Sequence, residues 1–253
     1  MTGIRVRALG ALAVAVVLMA AIACGAGGFF HPYEYEEEMY LSLDGSATLY
    51  VHSSLAALNA LRGTTFETGP RARIDRDALR RYFETPVTHV HGNISTSRRS
   101  NRQFIHVRLD VPDVRRLHEA APFAWSTYQF SGGETLDMYK QQVGGAVSAT
   151  VPPAVGWTGD EIVAFRLHLP SKIEYHNSGS PPRRGNILVW EQSLAERLRG
   201  TPLTLEARMQ TQSILYRTLW LFGATFVAVA LSFGVLLWWI LRRGEKAQSD
   251  LNV

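Results

Sequence analysis

The chain of 253 residues has one cysteine, Cys24. A lone cysteine excludes an intramolecular disulfide framework and a CxxC metal site. Lysine is scarce, with 3 against 23 arginines. No G-x-S-x-G, P-loop or G-x-G-x-x-G occurs, and Ser, His and Asp are scattered without a nucleophile-elbow context. No period of about 20–50 residues recurs, which argues against a repeat architecture. Net charge is also missing where it would matter for nucleic acid. The formal charge is +4, but residues 31–214 hold 20 basic and 20 acidic residues. The excess belongs to the chain ends, where positive charge concerns membrane topology. No nucleic-acid partner is expected.

What the sequence has is apolar ends. Residues 218–241, "TLWLFGATFVAVALSFGVLLWWIL", carry no charge. A bilayer core of about 30 Å needs about 20 helical residues, so a transmembrane helix is expected over 215–241. Trp220 and Trp238 lie roughly 27 Å apart at about 1.5 Å per residue, which suits two interfacial aromatic belts. "RRGEK" follows at once, so the positive-inside rule puts a tail, 242–253, in the cytoplasm and the preceding domain outside.

The N-terminus reads as an export signal or anchor over 1–24. "MTGIRVR" is a basic prefix and "ALGALAVAVVLMAAIA" an apolar run. Three outcomes stay open. Ala21-Ile22-Ala23-Cys24 resembles a bacterial lipobox, which would make Cys24 a lipidation site. Ala21 and Ala23 also form an A-x-A site for ordinary cleavage. Without cleavage the segment would be a second anchor. All three place 31–214 outside a bacterial cell membrane.

That domain reads as α+β, with antiparallel hairpins and two or three short helices. Asp44-Gly45 joins strands at 33–43 and 46–53. Ser53-Ser54 and Asp75 are caps for helices over "LAALNALRG" and "RDALRRYFE". Residues 87–95 and 103–111 form a hairpin over "TSRRSNR", and "PDVRRLHEAAPF" is a short helix. Further strands are expected at 124–131, 135–143, 161–169, 172–176, 185–191 and 203–211.

Chemistry is thin. His89 and His91, an H-x-H pair, share a strand face and with His106 could hold a metal. The blander reading is a polar sheet face. Glu34, Glu36, Glu37 and Glu38 suggest Ca²⁺ or acid/base work, but a charged outer strand face also protects a sheet edge. Arg98, Arg99 and Arg102 make a basic hairpin tip suited to anionic headgroups, and Arg183 with Arg184 a basic loop. Leu58, Leu61, Leu79 and Phe83 are candidates for an apolar ligand groove between helices and sheet, or ordinary core. No cofactor is expected and no catalytic residue is assigned.

"LSLDGSATLYV" (41–51) and "GNILVWEQSLAERLRGTPLTLEARM" (185–209), just before a terminal membrane helix, resemble the LppM-like family of bacterial envelope proteins. The resemblance implies a signal peptide, often with a lipobox, an α+β exported domain and one C-terminal transmembrane helix. It implies an envelope protein that binds lipid or glycolipid, with no catalytic residues to carry over; the leading expectation is a non-catalytic binding or structural module whose partner is lipid, glycolipid or another envelope protein. A metal-dependent enzyme centred on the histidines, and an assembly subunit of a membrane complex, are the rival expectations.

Overall fold

The computed structural model describes residues 33–146, 156–183 and 185–249. The chain divides into two units, Met1–Tyr33 and Glu34–Val253. Cys24 and the apolar N-terminal run belong to the first and lie outside the described residues.

Strand β1 (Tyr33–Leu41), which lies in the second unit from Glu34 on, pairs antiparallel with β2 (Ala47–Ser54). The Asp44-Gly45 turn closes them. Gly45 has φ +85°, and Asp44 accepts from the Ser46 amide at 2.9 Å. A Cβ at Gly45 would sit 3.0 Å from the Phe130 ring, so space as well as backbone angle demands glycine. Helix α1 (Leu55–Arg62) follows directly. Ser54 caps it by accepting from Ala57, and Gly63 ends it in the left-handed region. Helix α2 (Arg76–Phe83) is capped by Asp75.

The expected hairpin resolves into three pieces. Strands β3 (His89–Val90) and β4 (Ser95–Arg99) both pair with the long β5 (Arg102–Val111). Ser100 and Asn101, both at positive φ, make the turn, so Arg98 and Arg99 belong to β4 rather than to a loop. "PDVRRLHEAAPF" forms 3-10 turns at Val114–Glu119 and Ala121–Phe123. Strands β6 (Ser126–Ser131), β7 (Leu136–Val143), β8 (Ile162–His168), β9 (Ser171–His176), β10 (Ile187–Ser193) and β11 (Leu203–Ser213) match the remaining expectations. Helix α3 (Leu194–Leu198), unforeseen, is set by a Ser193–Glu196 capping box.

Two sheets result among the described residues. One runs β10-β8-β1-β2-β5-β3 with β4 also on β5; the other runs β6-β7-β11-β9. Leu49, Val51, Ile105, Val107 and Leu109 of the first meet Tyr139, Leu205, Ala207 and Met209 of the second in one hydrophobic cluster. The domain is α+β as expected.

One expectation about β1 fails. It is no edge strand: β8 covers one side and β2 the other. Nor are its glutamates a solvated face. Glu34 and Glu37 are buried, while Glu36 and Glu38 are half-buried.

The last element, α4 (Ile214–Ser249), starts one residue after β11 ends. Its apolar stretch Thr218–Ile240 is long enough to cross a membrane, and none of it is buried within the structure.

Candidate functional site

Two buried and two half-buried glutamates demand partners, and the structure gives each one: an arginine for Glu34, Glu36 and Glu37, and His168 for Glu38. Glu34, with no exposed surface, meets Arg102 at 2.9 Å and accepts from Trp157 Nε1 at 3.3 Å. Arg102 also lies 3.8 Å from Glu161 and donates to the Gly156 carbonyl. Glu36 pairs with Arg166, and Glu38 with His168 at 2.6 Å. The His168 hydrogen bond holds the Glu38 carboxyl below its ordinary range.

Glu37 points to the other face, into the core. It accepts from Tyr35 at 2.5 Å and faces Arg62 at 3.2 Å. The Arg62 guanidinium lies 3.1 Å from the Trp125 ring centroid. Burial pushes the Glu37 pKa up, and the Arg62 charge and the Tyr35 hydrogen bond partly offset this. Each carboxylate thus has a structural partner, and the acid/base and Ca²⁺ readings lose their free ligands.

The outward face of the larger sheet carries a ladder of rings. Tyr40 stacks on His168 at 3.9 Å, Tyr50 on His52 at 6.2 Å, and His52 meets His106. The two Nδ1 atoms are 2.8 Å apart, so one must carry the proton that the other accepts. His106 Nε2 bonds Ser97 Oγ. Burial, first of all, lowers both pKa values; Arg166 adds to this at His52, and His52 and Arg99 add to it at His106.

The histidines expected to converge do not. His89 Nδ1 is 3.1 Å from Glu84, and His91 Nδ1 is 3.0 Å from Asp110. His106 turns to His52 instead. Among the described residues no group of three or more His, Cys, Asp or Glu is placed to hold a metal ion. The strand that should have aligned His89 with His91 ends at Val90.

The basic tip is also divided. Arg102 is buried against Glu34, Arg99 lies over the Phe104 ring at 4.5 Å, and Arg98 is exposed. Leu58, Leu61, Leu79 and Phe83 are at most 1% exposed. They are core: the stripe that made them groove candidates is the one that seals the helices onto the sheet.

An open groove does exist, and sequence reading missed it. A cavity of about 620 Å³ lies between the N-terminal turn of α2 and β4, lined by Arg73, Arg76, Thr96 and Gln103 with Asp75 and Asp77. A neighbouring cavity of about 540 Å³ shares Arg76, Asp77 and Thr96 and adds Arg80. Asp75 is engaged in capping Ala78. Arg76 reaches Thr96 Oγ1 at 3.4 Å, and Arg80 donates to the Gly92 carbonyl. Gln103 Nε2 donates to the carbonyls of Gly69 and Ala72, fixing the wall that carries Arg73. Arg98 sits two residues beyond Thr96, on the same strand face and opposite Gln103. The sequence signal was available in "RARIDRDALRR", where five of eleven residues are arginine.

No family model matches this chain. No curated protein matches it. The NMR structure of the folded domain of LppM from Mycobacterium tuberculosis is similar at 11% identity and a TM-score of 0.40, covering 73% of this chain and 94% of that one. This is a weak structural resemblance to a domain of the family named from the sequence, and no residue role is carried over from it.

Proposed function

We propose that this chain is a bacterial envelope protein held in the cell membrane by α4, with its domain outside the cytoplasm and its tail, 242–253, inside. The domain is a binding module rather than an enzyme. Its ligand is an anionic headgroup, carried by a lipid or glycolipid, in the groove between α2 and β4.

The observation that carries this reading is the arginine wall. Arg73, Arg76 and Arg80 line connected cavities, with Arg98 beside them, against only Asp75 and Asp77. Guanidinium groups bind phosphate and carboxylate through paired, charge-assisted hydrogen bonds. The groove's polar lining fits a headgroup, not an acyl chain.

Calorimetric titration of the full chain in neutral detergent tests this. The probes are water-soluble short-chain phosphatidylglycerol, short-chain phosphatidylcholine and inorganic phosphate. The anionic lipid binds, the zwitterionic one does not, and Arg76→Ala or Arg80→Ala weakens binding roughly tenfold each. Phosphate binding as tightly as the lipid assigns the groove to a soluble anion and overturns the lipid reading. Equal binding of both lipids, or binding unmoved by the variants, overturns the groove.

A further inference from the structure

We infer that one end of the domain, a collar around the β11–α4 junction, rests in the headgroup layer of the bilayer. The domain then stands upright, with its arginine groove turned away from that surface. This rests on α4 crossing the membrane.

The argument begins with a missing linker. Ser213 ends β11 and Ile214 begins α4. The apolar span starts at Thr218, four residues and about 6 Å further on. The headgroup region is about 5–8 Å thick on each side of the hydrocarbon, so the end of β11 lies within it.

Hydrogen bonds identify what shares that end. Ser171 Oγ donates to the Gln212 carbonyl and the Thr211 amide donates to Thr135. Asn186 Nδ2 donates to the Ser171 carbonyl. The start of β7, the β8–β9 turn and the start of β10 therefore ring the base of α4. His168, three residues before Ser171, pairs with Glu38 and stacks on Tyr40, which brings in the end of β1.

The surface chemistry of this ring is a second, independent observation. In the described domain, 33–213, the exposed large apolar side chains are Tyr40, Leu136 and Tyr175. Two of the three, Tyr40 at 42% and Leu136 at 38% exposed, sit in the collar. Lys172, next to Ser171 in the chain and 62% exposed in its side chain, pairs with Glu174 at 2.9 Å. A tyrosine, an aliphatic side chain and a lysine are residues that partition well into a membrane interface.

The opposite end follows from strand direction. β5 runs from Arg102, at the buried Glu34 pair, to Val111, opposite Ala47 near the turn after β1. Ten residues at about 3.3 Å each put the Ser100-Asn101 turn roughly 30 Å from the collar end. Gln103, Thr96 and Arg76 of the groove flank this distant half. A headgroup in the bilayer that α4 crosses does not reach them, so the lipid or glycolipid that the groove takes is one presented from outside that bilayer.

Fluorescence quenching decides. The full chain with Cys24→Ser carries a single labelled cysteine at Leu136, Asn101 or Phe226. It is placed in vesicles of phosphatidylcholine and phosphatidylglycerol, with lipids spin-labelled either at the headgroup or deep in the acyl chain. The label at Leu136→Cys loses fluorescence to the headgroup quencher, the label at Asn101→Cys keeps it, and the label at Phe226→Cys loses it to the deep quencher. If Phe226→Cys is not quenched, the span itself fails and the collar with it. If Phe226→Cys is quenched but Leu136→Cys is not, or Asn101→Cys is quenched equally, the upright stance is wrong.

Discussion

At the residue scale, three arginines that look alike in "TSRRSNR" have different fates. Arg102 neutralises a glutamate with no exposed surface, 68 positions earlier in the chain. Removing one partner of a buried pair leaves the other charge uncompensated, which costs about 3–5 kcal/mol. Arg102→Ala therefore destabilises the domain by about that amount, whereas Arg98→Ala, on an exposed side chain, changes stability by no more than about 0.5 kcal/mol. Denaturant unfolding of the two variants measures the contrast, and equal losses would show that the Glu34 pair is not what holds Arg102. None of this pairing was legible locally. The alternation of Glu34, Glu36 and Glu38 with Tyr35 and Met39 correctly signalled a strand with two unlike faces. It carried no information on what would cover the acidic face, because Arg166 and His168 arrive some 130 residues later.

At the element scale, strand and helix positions were readable because their causes are local. Asp44-Gly45, the Ser54 and Asp75 caps and period-2 alternation each act within a few residues. Helix α3 escaped notice because its capping box lies inside "VWEQSLAERL", where β10 runs straight into the helix. Likewise the histidine site failed because β3 is only two residues long. The pairing that does form, His52 of β2 with His106 of β5, has a consequence for pH. Both imidazoles have folded-state pKa values below the ordinary 6.5, through burial and neighbouring positive charge, with Glu38 opposing at His52. Below about pH 6.5 the unfolded chain then binds protons that the folded domain refuses. The contribution is fully present above that pH and declines as pH falls. Tm measured from about pH 7 to 5 should drop less steeply in His52→Gln than in the parent chain. An unchanged slope would remove the pair as a source of acid sensitivity.

At the scale of the whole molecule, the sequence supported the layout better than the site. An uncharged run flanked by tryptophans is legible because a bilayer asks only for length and apolarity. A groove assembled from α2, β4 and the 69–75 segment depends on register between distant strands, and no short motif encodes that. The apolar stripe of Leu58, Leu61, Leu79 and Phe83 was ambiguous for a general reason: a helix face that seals a core and one that lines a pocket have the same periodicity. The direct passage from β11 into α4 adds what composition cannot: no linker separates the domain from the apolar helix.

At the centre stands the proposed topology: α4 crosses the membrane, the domain lies outside and the tail inside. It is tested most directly by labelling intact cells with a membrane-impermeant maleimide. In a Cys24→Ser background, single cysteines are placed at Asn101 in the β4–β5 turn and at Ser249 at the end of α4. The account predicts that Asn101→Cys is labelled in intact cells and Ser249→Cys only after the membrane is opened. Labelling of Ser249→Cys in intact cells, with Asn101→Cys protected, would contradict it.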